Sequence, residues 1–136
     1  MAQAPIFPGT VKTPGARIQN SDGTSAVTVM TAGTSGAKIE SIAATNTDTV
    51  PIILQIVATI SAVDYTLGEV SIPAGAGTDG TTKAVDLLNV TALPWVRNDG
   101  VNAYMLLEAG AILKAKAKTA VTAGKVIHLF AQGGDF

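Results

Sequence analysis

Cysteine is absent from the 136 residues, so neither disulfides nor thiolate chemistry contribute to this protein. Charge is scarce as well: Asp, Glu, Lys and Arg make up 14% of the chain, against roughly 25% in an ordinary soluble domain. Aromatic residues are 4%, which leaves a core built from Ala, Val, Ile and Leu that packs in thin, flat layers. A charged leader followed by an apolar run is missing from MAQAPIFPGTVKTPGARIQ, so no secretory signal is expected there and synthesis and retention in the cytoplasm are. The longest apolar stretch, VPIILQIVATI at residues 50–60, is about half of what crosses a bilayer and is interrupted by Gln55, so no membrane association is expected.

What remains is a chain of 13.7 kDa, the size of one domain. Its net charge is −1 and its mean hydropathy is +0.37. A surface that repels its neighbours so weakly suits a protein that works assembled rather than as a dilute monomer.

Residues 1–25 carry Pro5, Pro8, Pro14, Gly9, Gly15 and Gly23 with little periodicity, and read as an extended arm. Residues 26–136 read as one all-β domain. SAVTVMTAG alternates, the turn GTSG follows at residues 33–36, and AKIESIAATNT continues, a pattern expected to form a hairpin. VPIILQIVATI is expected to be a strand buried on both faces, with Pro51 at its start. YTLGEVSI and YMLLEAG supply further strands, and ILKAKAK and KVIHLFAQGG two more, joined by a TAG turn. VTVMTAGTSGAKIESIAAT and KTAVTAGKVIHLFAQGG echo one another, as two hairpins with similar turns would. The one candidate helix is TTKAVDLLNVTAL, residues 81–93, capped by Thr81 or Thr82 and ended by Pro94. The expected architecture is a jelly-roll-like β-sandwich with an N-terminal arm and one short helix.

Few residues point to chemistry. SIPAGAGTDG contains Gly75, Gly77 and Gly80 in the spacing of a dinucleotide-binding loop, but such a loop needs a long helix and a following parallel strand, and the chain after it has β-hairpin periodicity. The glycines fit a surface loop with positive φ instead. His128 is the sole histidine, without a second His or any Cys to share a metal; it fits a packed or interface position. The acids are dispersed, and none forms a calcium loop. No catalytic, cofactor-binding or metal-ligating residue is expected, and the chain reads as a non-enzyme.

Two features suit partner contacts. Ile112, Lys114, Lys116 and Lys118 share one strand face, a cationic row that fits a solvated sheet face, an acidic protein partner or nucleic acid; the negative net charge and few aromatics argue against the last. Trp95 fits the core or, with Arg97, an interface anchor.

KIESIAATNTDT, YTLGEVSIPAGAGTDGTTKAVDLLN and LEAGAILKAKAKTAVTAGKVIHLFAQGGDF together resemble small virion proteins of tailed bacteriophages, over residues 37–136. The resemblance implies a capsid cement or decoration protein on the exterior of an HK97-like shell, made in the bacterial cytoplasm. Its implied partners are the major capsid protein and further copies of itself as a dimer or trimer. The candidate contact residues are then Pro5, Phe7, Pro8, Lys12 and Arg17 in the arm, and Trp95, Arg97, Lys114, Lys116 and Lys118 in the body. On this reading the arm drapes over neighbouring subunits, and removing residues 2–20 is expected to leave the body folded. A tail-tube or head–tail connector subunit is the nearest alternative; a carbohydrate-binding module is a more distant one, disfavoured by the scarcity of aromatics.

Overall fold

The computed structural model describes residues 9–89, 96–98 and 103–136. Eleven strands form two antiparallel sheets: β1 (Thr10–Lys12), β2 (Gly15–Gln19), β3 (Val27–Thr31), β4 (Ala37–Asn46), β5 (Ile52–Ile60), β6 (Val63–Ile72), β7 (Val85–Asp86), β8 (Arg97–Asn98), β9 (Ala103–Leu107), β10 (Ile112–Ala117) and β11 (Val126–Asp135). The larger sheet runs β1-β11-β4-β9-β8, with β2 also on β11 and β7 also on β4; the smaller runs β3-β10-β5-β6. Followed along the chain from β2, the strands alternate between the sheets except that β5 and β6 stay together in the smaller sheet and β7, β8 and β9 in the larger. This is the strand order of a jelly roll, so the fold is the expected all-β sandwich.

Period-two patterning places the core between the sheets. Ile127, Leu129 and Ala131 of β11 point inward with Ile39, Ile42 and Ala44 of β4, and meet Leu54, Ile56, Leu113 and Ala115 from the smaller sheet. Each buried Ile or Leu side chain among them contributes about 2 kcal/mol. Among the described residues the buried core holds no aromatic ring.

Residues 10–19 differ from a free arm. β1 and β2 pair with β11 in one unbroken register, Thr10 opposite Asp135 and Gln19 opposite Val126. Pro14 interrupts the strand yet its carbonyl still accepts a hydrogen bond from Ala131 N–H, and the lost donor is tolerated because this is an edge. Ile18 is fully buried, so removal of residues 2–20 would strip a core strand rather than leave the body intact.

Neither expected glycine-rich hairpin forms. The Ala32–Gly36 connection carries the chain from β3 in the smaller sheet to β4 in the larger, because its donors are claimed by distant strands: Ala32 N–H by the Ala111 carbonyl and Gly33 N–H by the Asp135 carboxylate. The connection before β11 makes the same crossing. β3 lies beside β10 and β4 beside β11, so the sequence echo marks two equivalent sheet-switching arches.

The hairpin β5–β6 turns on Ser61 and Ala62, both at positive φ (52° and 63°), without a glycine. Two consecutive left-handed residues favour Asn-Gly. The double substitution Ser61→Asn, Ala62→Gly is therefore expected to stabilise the chain by about 1 kcal/mol, read as a rise in urea midpoint at constant slope.

Two further expectations change. The strand at 52–60 is only partly covered on its outer face: Ile52, Leu54 and Ile56 are buried inward and Val57 is buried outward, whereas Ile53 is 42% exposed on the outer surface of the smaller sheet. In place of a helix over 81–93, Val85 and Asp86 pair with Ala44 and Ala43 of β4, and Leu87–Asn89 make a single 3-10 turn; residues 90–93 lie outside the described residues. The sheet pairing takes the backbone that a first helical turn would need, and buries Leu87 and Leu88.

Candidate functional site

The glycine loop sits at one end of the sandwich, and its backbone donors are spent inside the chain. Gly75 N–H donates to the Asp48 carbonyl, Gly77 N–H to Thr82, and Thr78 and Asp79 N–H to Gly75. The Asp79 carboxylate accepts from Thr81 N–H, Thr82 N–H and Thr82 Oγ1 at 2.8, 2.6 and 2.7 Å, which holds its pKa down to about 2. Gly75, Gly77 and Gly80 take φ of 72°, 71° and 82°, and a side chain on Gly77 would strike Thr45. The G-x-G-x-x-G spacing thus serves a compact turn, packed through buried Ala76.

Beneath this loop lies a buried polar staple that sequence reading passed over. Asn46 Nδ2 donates to the carbonyls of Val50, Ile72 and Pro73, and Asn46 Oδ1 accepts from Asp48 N–H. The Asp48 side chain accepts from Thr122 N–H, Thr122 Oγ1 and Thr49 N–H at 2.8, 2.9 and 2.7 Å. Burial pushes the Asp48 carboxyl up, but the bonds from Thr122, Thr49 and Val50 together outweigh it and hold the pKa below the usual range. Only the phrase NTDT signalled this, and the role depends on a loop 74 residues away. Among the described residues no group of three or more His, Cys, Asp or Glu could hold a metal ion.

The candidate contact residues do not converge. Lys114, Lys116 and Lys118 project from the outer face of the smaller sheet, as alternation requires, but within a mixed-sign ladder. Lys118 Nζ lies 2.9 Å from Glu69 and Lys114 Nζ 3.9 Å from Asp64, both acids on β6. Lys12 is at the opposite sheet, fastened 2.6 Å from Asp135 and 3.1 Å from the Thr31 carbonyl. The bond from Lys12, with that from Gly33 N–H, lowers the Asp135 pKa. This clasp ties β1, β11 and the first arch together. Arg97 is exposed on β8 opposite Tyr104. Pro5, Phe7, Pro8 and Trp95 lie outside the described residues.

Of the candidates, Arg17 and, as the cross-strand partner of Tyr104, Arg97 stand on the outer face of the larger sheet, at separate strands. Across from Arg17 is His128, and two residues further along β11 is Phe130, 46% exposed. Gly15 and Ala43 flank Phe130 on the two neighbouring strands and are too small to cover its ring. Tyr104 and Leu106 of β9, the latter 57% exposed, continue the face, with the Lys38 ammonium 5.0 Å from the Tyr104 ring centre. All four described aromatic side chains, Tyr65, Tyr104, Phe130 and Phe136, are exposed or half-buried. Compared with family models, curated proteins and solved structures, the chain matches none.

Proposed function

We propose that this chain is a structural protein of a tailed-phage particle, a decoration protein that coats the outside of the assembled head and stabilises it. The observation that carries the reading is the placement of apolar bulk: an aliphatic core inside, and the aromatic and large apolar residues Phe130, Leu106 and Tyr104 on the outer face of the larger sheet. Exposed aromatics beside small residues make a flat surface suited to protein contact. The glycine loop, the one motif reminiscent of cofactor binding, is closed by its own hydrogen bonds. The partner proposed, a shell protein, is what the sequence resemblance of residues 37–136 to phage virion proteins implies. Binding only the assembled shell would shift its equilibrium toward assembly, copy by copy.

Quantitative mass spectrometry of purified particles, counting this chain against the major capsid protein, tests the proposal. A fixed whole-number ratio to the shell subunit is the expected result. A ring-sized copy number would move the chain to the tail or connector, and absence from particles would overturn the reading.

A further inference from the structure

Among the described basic residues, Lys12, Lys38, Lys114 and Lys118 each lie within ion-pair distance of a carboxylate. Arg17, Lys83, Arg97, Lys116 and Lys125 are not in such a pair, and two of these, Arg17 and Lys125, meet, with the only histidine, around one open cleft. It lies at the end of β2 and β11, between residues 17–21 and the turn 123–126, and is lined by Arg17, Gln19, Ser21, Lys125 and His128. Arg17 and His128 are direct cross-strand partners, which sets their Cβ atoms about 5 Å apart. Thr45 stands on the far side of His128 and brings no charge. The nearest acid in sequence, Asp22, is half-buried and accepts from Gln19 N–H at 2.7 Å. In a chain of net charge −1, this is a local concentration of cations without a described counter-charge.

The cleft is continuous with an apolar neighbour. A shallow groove lined by Gly15, Arg17, His128 and Phe130 leads from it along the sheet. Phe130 and His128 are two residues apart on one strand face, hence about 7 Å apart, and Lys125 lies beyond His128 in the same direction. A ligand that satisfied all of these would be extended, with an apolar group at one end and carboxylates after it.

We infer that this face binds an extended acidic segment of another protein, carrying an apolar side chain and two carboxylates at alternate positions: the apolar group against Phe130, the first carboxylate at Arg17 and His128, the second at Lys125. Alternation follows from the geometry, because side chains of an extended segment that share a face are two residues apart. Charge complementarity selects the occupant, and a planar guanidinium beside an imidazole suits a carboxylate. The inference stands whichever particle, if any, the chain decorates.

The test is a titration of the full-length, nitrogen-15-labelled chain with the blocked peptide Leu-Ser-Glu-Ser-Glu, followed by amide NMR shifts. Shifts confined to residues 15–21 and 123–130 are expected, with the glutamine version of the peptide inactive. The double variant Arg17→Gln, Lys125→Gln should weaken binding about fivefold or more without moving the thermal midpoint, while Lys116→Gln on the other sheet should bind as the parent does. Inorganic phosphate alone moving the same amides would overturn the inference in favour of a small-oxyanion pocket. Equal binding of the glutamine peptide, shifts spread over the lysine face, or no shifts in large peptide excess would also overturn it.

Discussion

Replacing Gly133 with alanine is expected to cost at least about 3 kcal/mol, enough to leave a marginally stable domain partly unfolded at room temperature. At this point the β11–β4 register shifts: Gln132 faces Ser41 and Gly133 faces Ile39, so Glu40 is an extra residue on β4. The bulge brings the β4 backbone over Gly133. A Cβ there would overlap the Lys38 carbonyl oxygen and lie 2.9 Å from Ile39 Cα. Backbone atoms in the middle of a paired strand cannot swing aside as a side-chain tip can. Gly15→Ala is the contrast, since its Cβ would meet nothing closer than the Leu129 carbonyl at 3.9 Å and should change stability by less than about 0.5 kcal/mol. Urea denaturation of the two variants measures both. If they unfolded alike, the close approach at the bulge would not be a constraint.

The second large effect is expected at Asp48. The residue is 2% exposed and its carboxylate holds Thr122 and Thr49, so Asp48→Ala strands several donors and should cost about 3 kcal/mol, or roughly 10 °C in thermal midpoint. Asp48→Asn keeps the shape and should cost less. The folded carboxyl titrates below its unfolded value of about 3.9. Its stabilisation is therefore complete above that value and is lost as pH falls through the folded pKa. Asp135 and Asp79 act in the same sense, with Asp79 at about 2. The parent's melting temperature should hold down to about pH 4 and then fall toward pH 2, with the gap between parent and Asp48→Asn narrowing over that interval. A variant Asp48→Ala that melted with the parent would show that the staple does not hold this end of the sandwich.

The inward and outward faces were legible wherever alternation was strict. In ILKAKA the lysines lie outside and Leu113, Ala115 and Ala117 inside, and in VIHLFA His128 and Phe130 lie outside, because a strand sends successive side chains to opposite faces whatever it pairs with. Turn chemistry was less reliable. Glycine permits a sharp change of direction but does not specify the destination: Gly33 and Gly36 sit in an arch between sheets, while Ser61 and Ala62, with no glycine, close the hairpin. The helix expected over 81–93 gave way to a brief pairing with β4, since a short amphipathic segment takes whichever backbone partners the sheet offers.

By itself, then, the sequence determined the all-β class, the aliphatic core and, where alternation was strict, the side of a strand that meets solvent. These depend on local periodicity and composition, which are properties of the chain alone. Only the tertiary structure decided which cations are neutralised and which remain available. Lys114 and Lys118 are as basic in sequence as Arg17 and Lys125, but β6 carries Asp64 and Glu69 toward the first two. The cleft beside His128 receives no such acid among the described residues. Ion pairing falls off with distance in space, and distance in space between residues far apart in the chain is fixed by strand order and register.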